Sequence, residues 1–275
     1  MDPGPPVIRL AVFGQPVAHS LSPRIHAEFA RQLGLHVDYR AIEASPQTFP
    51  QQVRDLAAAG GRGCNVTVPL KHAAWTLATR YSDRAARAQA ANTLLFDGDI
   101  FADNTDGQGL VNDLLSVPGG HLAGARVCLL GAGGAAAGVL AALLRAQPDR
   151  IVIANRTLSR ADELVSRHAD LGPVQSCVPG EIARQGPFDL LINATSQGHG
   201  GAAPLLEPGW FTPGALCYDL NYGEAAAPLR RACSAAQIGY SDGLGMLVHQ
   251  AALSFTLWTG RTPAVAPVLE GLRQP

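Results

Sequence analysis

The sequence predicts an α/β protein of two domains, the first built on a mostly parallel sheet, and three observations carry that expectation. Strand-like and helix-like segments alternate along most of the 275 residues, as they do when crossover helices join parallel strands. Hydrophobic residues make up 47% and charged residues 16%, which suits a chain with a large core and not a disordered one. A glycine-rich turn at 131–136 sits between a strand pattern and an alanine-rich helix pattern, opening a second α/β series.

The elements follow in order. Ile8 to Phe13 reads as a strand closed by Gly14-Gln15-Pro16. Ser22-Pro23 opens a helix, with serine as N-cap and proline at the first helical position, and Gly34 ends it. Val37 to Ile42 is the next strand, and Pro46 to Ala59 the next helix, stopped by Gly60-Gly61. Helical patterning then extends from His72 to Ala91. A linking helix leads to the loop Val117-Pro118-Gly119-Gly120, and the second series has strands at 126–130, 151–154, 190–193 and 217–220. A last helix, about Met246 to Thr259, ends at Gly260 with Pro263 beyond. The division expected is 1–107 plus 242–275 for one domain and 108–241 for the other.

Between the second helix and His72 lies Gly63-Cys64-Asn65-Val66-Thr67-Val68-Pro69-Leu70-Lys71. Polar Asn65 and Thr67 alternate with Val66 and Val68, the period of a strand with one polar face. Pro69 ends the ladder because it has no N–H to give. Lys71 follows at the strand's mouth, so one amine and two hydrogen-bonding groups converge. By itself the segment also fits an edge strand with a solvated lysine.

Strand residues Val127 to Leu130 run into Gly131-Ala132-Gly133-Gly134-Ala135-Ala136, a GxGxxA pattern in the strand–turn–helix setting of a dinucleotide fingerprint. The first glycine makes the turn, the second admits a pyrophosphate, and small Ala136 lets the helix pack on the strand. The helix N-terminus supplies partial positive charge. An NAD site carries Asp or Glu at the end of the next strand for the ribose 2′-hydroxyl. Here that position reads Ala154-Asn155-Arg156-Thr157, with Arg160 close behind, so NADP is favoured; a surface arginine at a helix start is the alternative for Arg156.

Other classes are disfavoured. The net charge is −1 and no basic run occurs, so neither nucleic acid nor an anionic membrane is indicated. Val127 to Leu144 is 18 residues without a charge, but four glycines interrupt it, and strand, loop and helix explain it better than a membrane span. The five cysteines show no CxxC spacing and sit among apolar residues, as free thiols in a reducing compartment do. With no secretory pattern at the N-terminus, a cytoplasmic protein is expected. His19 has no second ligand at zinc spacing, so no metal is expected, and no GxSxG order suggests a hydrolase.

Together these segments resemble the shikimate dehydrogenase family, over nearly the whole chain. The residues that carry the likeness are FGQPVAHSLSPRIH at 13–26, NVTVPLK at 65–71, AANT at 90–93, DNTDG at 103–107 and GAGGAA at 131–136. NRT at 155–157, NATSQG at 193–198, DLNY at 219–222 and DGLGMLVHQA at 242–251 complete the set. The resemblance implies a substrate domain, a Rossmann-type NADP domain and C-terminal helices that return to the first. It implies NADPH-dependent reduction of 3-dehydroshikimate to shikimate on the route to chorismate and aromatic amino acids, by a monomer or homodimer. Lys71 and Asp106 would form the catalytic pair. Ser20, Ser22 and Tyr222 would take the substrate carboxylate, while Asn65, Thr67, Asn92, Asp106 and Gln250 would hold ring hydroxyls. Cofactor contacts would come from Gly131, Ala132, Gly133, Gly134, Ala135, Asn155, Arg156, Thr157, Arg160, Thr195, Leu220, Gly243 and Met246, with Asp83 bordering the nicotinamide. Gln197 and His199 stand where the family carries a small residue and a methionine, and 223–228 lacks the common threonine before proline.

The chemistry asks for such groups. As hydride reaches carbon, negative charge gathers on oxygen, and an ammonium at Lys71 can stabilise it and donate the proton. Bland alternatives stay open at three positions. Asp106 is also a turn aspartate in Asn-Thr-Asp-Gly, Ser22 a helix cap, and Gln250 a buried, satisfied glutamine beside Met246, Leu253 and Leu257. Two other functional readings compete: a quinate/shikimate dehydrogenase using NAD, and a dinucleotide-sensing protein that kept the fold without turnover.

Overall fold

The computed structural model describes residues 6–274, apart from the side chains of His199 and Pro208. The chain divides into two compact units, Met1–Asp106 with Val248–Pro275, and Gly107–Leu247. Residues 242–247, expected with the first domain, fall in the second unit.

The first unit runs β1 (Ile8–Gly14), α1 (Ser22–Leu33), β2 (Val37–Glu43), α2 (Phe49–Ala58), β3 (Gly63–Val66), α3 (Lys71–Leu77), β4 (Arg80–Tyr81), α4 (Asp83–Ala88), β5 (Thr93–Asp97) and β6 (Asp99–Asp103). Its sheet has the order β2-β1-β3-β5-β6-β4. β1 pairs in parallel with β2 and β3, whereas β5 lies antiparallel to both β3 and β6. The sheet is therefore mixed.

β3 is an interior strand with all four residues buried, which overturns the edge-strand alternative. The single helix expected over 72–91 is two short helices flanking β4. Ala78 is extended, and Ser82 caps α4 by accepting the Ala85 N–H. The hairpin β5–β6 turns through Asp97-Gly98, where Gly98 has φ +76°. At α1 the N-cap is Leu21, not Ser22; Ser22 opens the helix, and its N–H donates to Ser20 Oγ at 3.2 Å.

The second unit starts within α5 (Asp106–Leu114) and continues with β7 (Arg126–Leu130), α6 (Gly134–Arg145), β8 (Arg150–Ala154), α7 (Leu158–His168), β9 (Val174–Cys177), α8 (Ile182–Gln185), β10 (Phe188–Asn193), β11 (Phe211–Asp219), α9 (Ala227–Ala236) and β12 (Gly239–Ser241). The order β12-β11-β10-β7-β8-β9 with all neighbours parallel is the doubly wound arrangement, whose strand order reverses between β7 and β10. Near-continuous apolar strands such as Val127-Cys128-Leu129-Leu130 reflect burial on both faces. α10 (Leu244–Thr259) and α11 (Ala266–Arg273) close the chain. Among the described residues no helix is long and apolar enough to cross a membrane. All five cysteines are free and buried, Cys64 in the first unit and Cys128, Cys177, Cys217 and Cys233 in the second.

His26, on α1, lies fully buried and stacked on Tyr39, ring centroids 4.2 Å apart and 9° from parallel. Burial pulls its pKa from 6.5 to about 3, against the opposing Asn65 contact. Neutral His26 therefore stabilises the fold fully above pH 6.5, and that stabilisation drains away as pH falls towards 3. Urea unfolding between pH 6.5 and 4.5 should lose up to about 1.4 kcal/mol per pH unit through this group. A His26→Gln variant should show a flatter slope; an unchanged slope would dismiss the assignment.

Candidate active site

The start of α3, the residue before β5 and the segment after β6 bring Lys71, Asn92 and Asp106 together within the first unit. Lys71 Nζ donates to Asp106 Oδ2 at 2.5 Å, with side chains 16% and 7% exposed. Asp106 Oδ1 accepts from Asn92 Nδ2 at 2.8 Å. The Asn92 amide has one possible orientation, because the Thr105 N–H donates to its Oδ1 at 2.9 Å. Its Nδ2 also donates to Gln250 Oε1 at 3.0 Å. Amine, carboxylate, carboxamide and the α10 glutamine thus form one connected group, and Asp106 is more than a turn residue.

Asn65 sits behind this group. Its Nδ2 donates to the Asn92 carbonyl at 3.1 Å, Thr93 Oγ1 at 3.2 Å and Ser254 Oγ at 3.0 Å. Its Oδ1 accepts from Tyr39 OH at 2.8 Å and pairs with His26 Nε2 at 3.2 Å. The carbonyl acceptor fixes the amide, so neutral His26 carries its proton on Nε2. The amide expected to hold a ring hydroxyl is satisfied within the protein. Burial raises the Tyr39 phenol well above its ordinary value, keeping it a neutral donor. Tyr39 and Ser254 lie in no motif, while His26 and Thr93 end motifs that carry the family likeness without a role of their own being expected. Only the four-residue spacing of Ser254 from Gln250 placed it on the same helix face.

Ser22 is buried and Ser20 and Thr67 half-buried, on the segments leading into α1 and out of β3. Tyr222, also half-buried, begins a 3-10 turn after β11 in the second unit, where burial raises its phenol. Asp83 opens α4 in the first unit.

In the second unit a cavity of about 400 Å³ opens at the carboxyl ends of β7, β8 and β10, around the reversal of strand order. Its walls include Gly131, Ala132, Gly133, Asn155, Arg156 and Thr195. Gly131 has φ +101°, and a Cβ there would press on the Ala194 carbonyl. A Cβ on Gly133 would meet nothing within 4 Å, so backbone is open to a ligand before α6. Asn155 and Arg156, not a carboxylate, directly follow β8. Gly134, Ala135, Thr157, Arg160, Leu220, Gly243 and Met246 are not among the walls; the first two begin α6, Thr157 precedes α7 without a side-chain cap bond, and Met246 is buried in the core of this unit. Gln197 does line the cavity, and the His199 side chain is outside the described residues. Pro179, Ala183 on α8, Leu205, Glu207 and Trp210 add to the walls, and no recognisable motif marks them in the sequence. Among the described residues no cluster of three metal-ligating side chains occurs.

Family models match along the chain: "Shikimate dehydrogenase substrate binding domain" at 12–94, "Shikimate / quinate 5-dehydrogenase" at 113–199 and "Shikimate 5'-dehydrogenase C-terminal domain" at 243–273. Shikimate dehydrogenase (NADP(+)) of Methylococcus capsulatus is 49% identical over 96% of this chain and 95% of its own. An Ael1 enzyme from Pseudomonas putida has a similar structure, with TM-score 0.88, 39% identity and coverage of 98% and 99%. Shikimate 5-dehydrogenase from Thermus thermophilus, solved in complex with NADP(H) and shikimate, gives TM-score 0.83 at 35% identity over 97% of this chain and 99% of that one. With its motifs, its doubly wound second unit and relatives matched end to end, the chain belongs to the shikimate dehydrogenase family.

Proposed function

We propose that this protein is an NADP-dependent shikimate dehydrogenase that interconverts 3-dehydroshikimate and shikimate, with Lys71 and Asp106 as its acid–base couple. The observation that carries this reading is the 2.5 Å contact between Lys71 Nζ and Asp106 Oδ2, braced by Asn92. NADPH supplies the hydride. Lys71 gives one N–H to Asp106 and keeps others for the carbonyl oxygen, where charge builds during reduction and a proton must arrive. In the oxidative direction the neutral amine takes the hydroxyl proton. Asp106 turns the amine towards that oxygen, and Asn92 fixes Asp106. Ser20, Ser22 and Tyr222 serve the carboxylate, Thr67 and Gln250 the ring hydroxyls, while Asn65 holds the wall behind them. The glycine turn and Arg156 suit a pyrophosphate and a 2′-phosphate. Five buried free cysteines fit a reducing, cytoplasmic setting.

Purified protein should form NADPH from shikimate and NADP+, more efficiently than NADH from NAD+, and oxidise shikimate faster than quinate. Shikimate binding without turnover would instead support the silent sensing protein. A preference for NAD and quinate would support the other dehydrogenase reading.

A further inference from the structure

Arg84 and Asp103 lie outside the residues assigned so far, yet they form a tightly joined charge pair in the first unit. Arg84 Nε donates to Asp103 Oδ1 at 2.6 Å and Nη2 to Oδ2 at 2.5 Å, a two-pronged fork. Oδ1 also accepts from Ser82 Oγ at 2.6 Å and from the Asn104 backbone N–H at 2.7 Å. The Asp103 side chain is 5% exposed and that of Arg84 36%. Burial pushes the Asp103 carboxyl up, but Arg84, Ser82 and the Asn104 N–H together bring it below its ordinary value. It is charged at neutral pH.

The bonds lead to Asp106 within three residues. With the Asn104 N–H held on Asp103, its Nδ2 donates to the Ala90 carbonyl at 2.9 Å and its Oδ1 accepts the Asp106 N–H at 3.2 Å. The Asn92 N–H in turn donates to the Asp103 carbonyl at 3.1 Å. Residues 104–106 are thus stretched between the charged anchor and Asn92, with every available N–H committed. A buried ion pair adds little net stability, because desolvation offsets its Coulomb gain. It does fix direction, and a 1 Å error in a catalytic group costs about 10²-fold in rate.

We propose that the Arg84–Asp103 pair is a positioning element for the reaction, setting the 104–106 backbone so that the Asp106 carboxylate meets the Lys71 amine. The proposal rests on the acid–base reading of that couple. Neither residue touches substrate; both act through Asp106.

The test replaces the fork and reads rate separately from binding. Arg84→Met keeps the stem and removes the guanidinium. Its kcat should fall about 10–10²-fold, with KM for shikimate and NADP+ within about threefold of the parent. Arg84→Lys keeps the charge without the fork and should recover little of that loss. In Arg84→Ala, added guanidinium at non-denaturing concentration should restore part of kcat, since the site is open enough to admit a small cation. Sodium chloride at equal ionic strength should not. Ser82→Ala removes one donor to Asp103 and the cap of α4 but keeps both charged groups of the pair, so it tests the same direction; its kcat should fall less than that of Arg84→Met. Thermal unfolding of each variant separates folding from function.

The positioning proposal is overturned if folded Arg84→Met keeps kcat within about threefold while Lys71→Ala loses it, or if guanidinium restores the unfolding midpoint and leaves kcat low. If Lys71→Ala itself keeps its kcat, the acid–base reading fails first and the positioning proposal goes with it.

Discussion

Lys71→Ala should lower kcat for shikimate oxidation by about 10²–10⁴-fold, the range that positioned acid–base help supplies. KM for shikimate should change far less, since a group acting on the reacting oxygen is used chiefly in the transition state. Steady-state rates at saturating NADP+ measure both. Retention of kcat within about threefold would remove Lys71 from the chemistry. Asp106 gives a companion result. Its two oxygens face two donors, Lys71 Nζ and Asn92 Nδ2. Asparagine has one acceptor oxygen, so Asp106→Asn must turn an NH₂ towards one of those donors and lose that contact. The shape is kept and the alignment is not. Asp106→Asn should therefore lose kcat in the same direction as Lys71→Ala, although it is the conservative change.

Arg156→Ala should lower kcat/KM for NADP+ by about 10–10²-fold, as expected when a charge-assisted hydrogen bond of about 1.5–3 kcal/mol is removed. Efficiency with NAD+ should stay within about twofold, because that cofactor has no 2′-phosphate to lose. Arg156 lines the second unit's cavity with Asn155, and no carboxylate directly follows β8 to hold a free 2′-hydroxyl. Parallel titrations with both cofactors decide the matter. An equal loss for each would show that Arg156 supports the cavity without reading the phosphate.

Local chemistry was legible where one short segment carries it. The strand–GxGxxA–helix unit at 127–145 needs only neighbouring residues to declare itself, and the structure has it as β7, turn and α6. The hairpin at 93–103 has no counterpart among the sequence expectations, although Asp97-Gly98 marks its turn, and the helix expected over 72–91 is interrupted. Thr79 to Tyr81 break that pattern by pairing with β6, and Arg80 and Tyr81 meet their strand partners about twenty residues further on. The β3 strand looked half-polar because Asn65 and Thr67 alternate with valines. In the fold Asn65 is buried, its amide met by partners from α1, β2, β5 and α10. A polar residue satisfied by four distant segments looks, in sequence, like one facing water. The same reason hid Arg84 and Asp103: no spacing rule links residues nineteen apart across a helix and a hairpin.

The placement of the thiols provides two internal reporters of opening. A buried Cys–SH meets an alkylating reagent only when its surroundings open, so labelling rates under native conditions record the free energy of those excursions. Cys64 stands alone in one compact unit and the other four sulfurs lie in the other. Mass spectrometry of peptides from timed alkylation can therefore follow each half of the chain separately, with no engineered label.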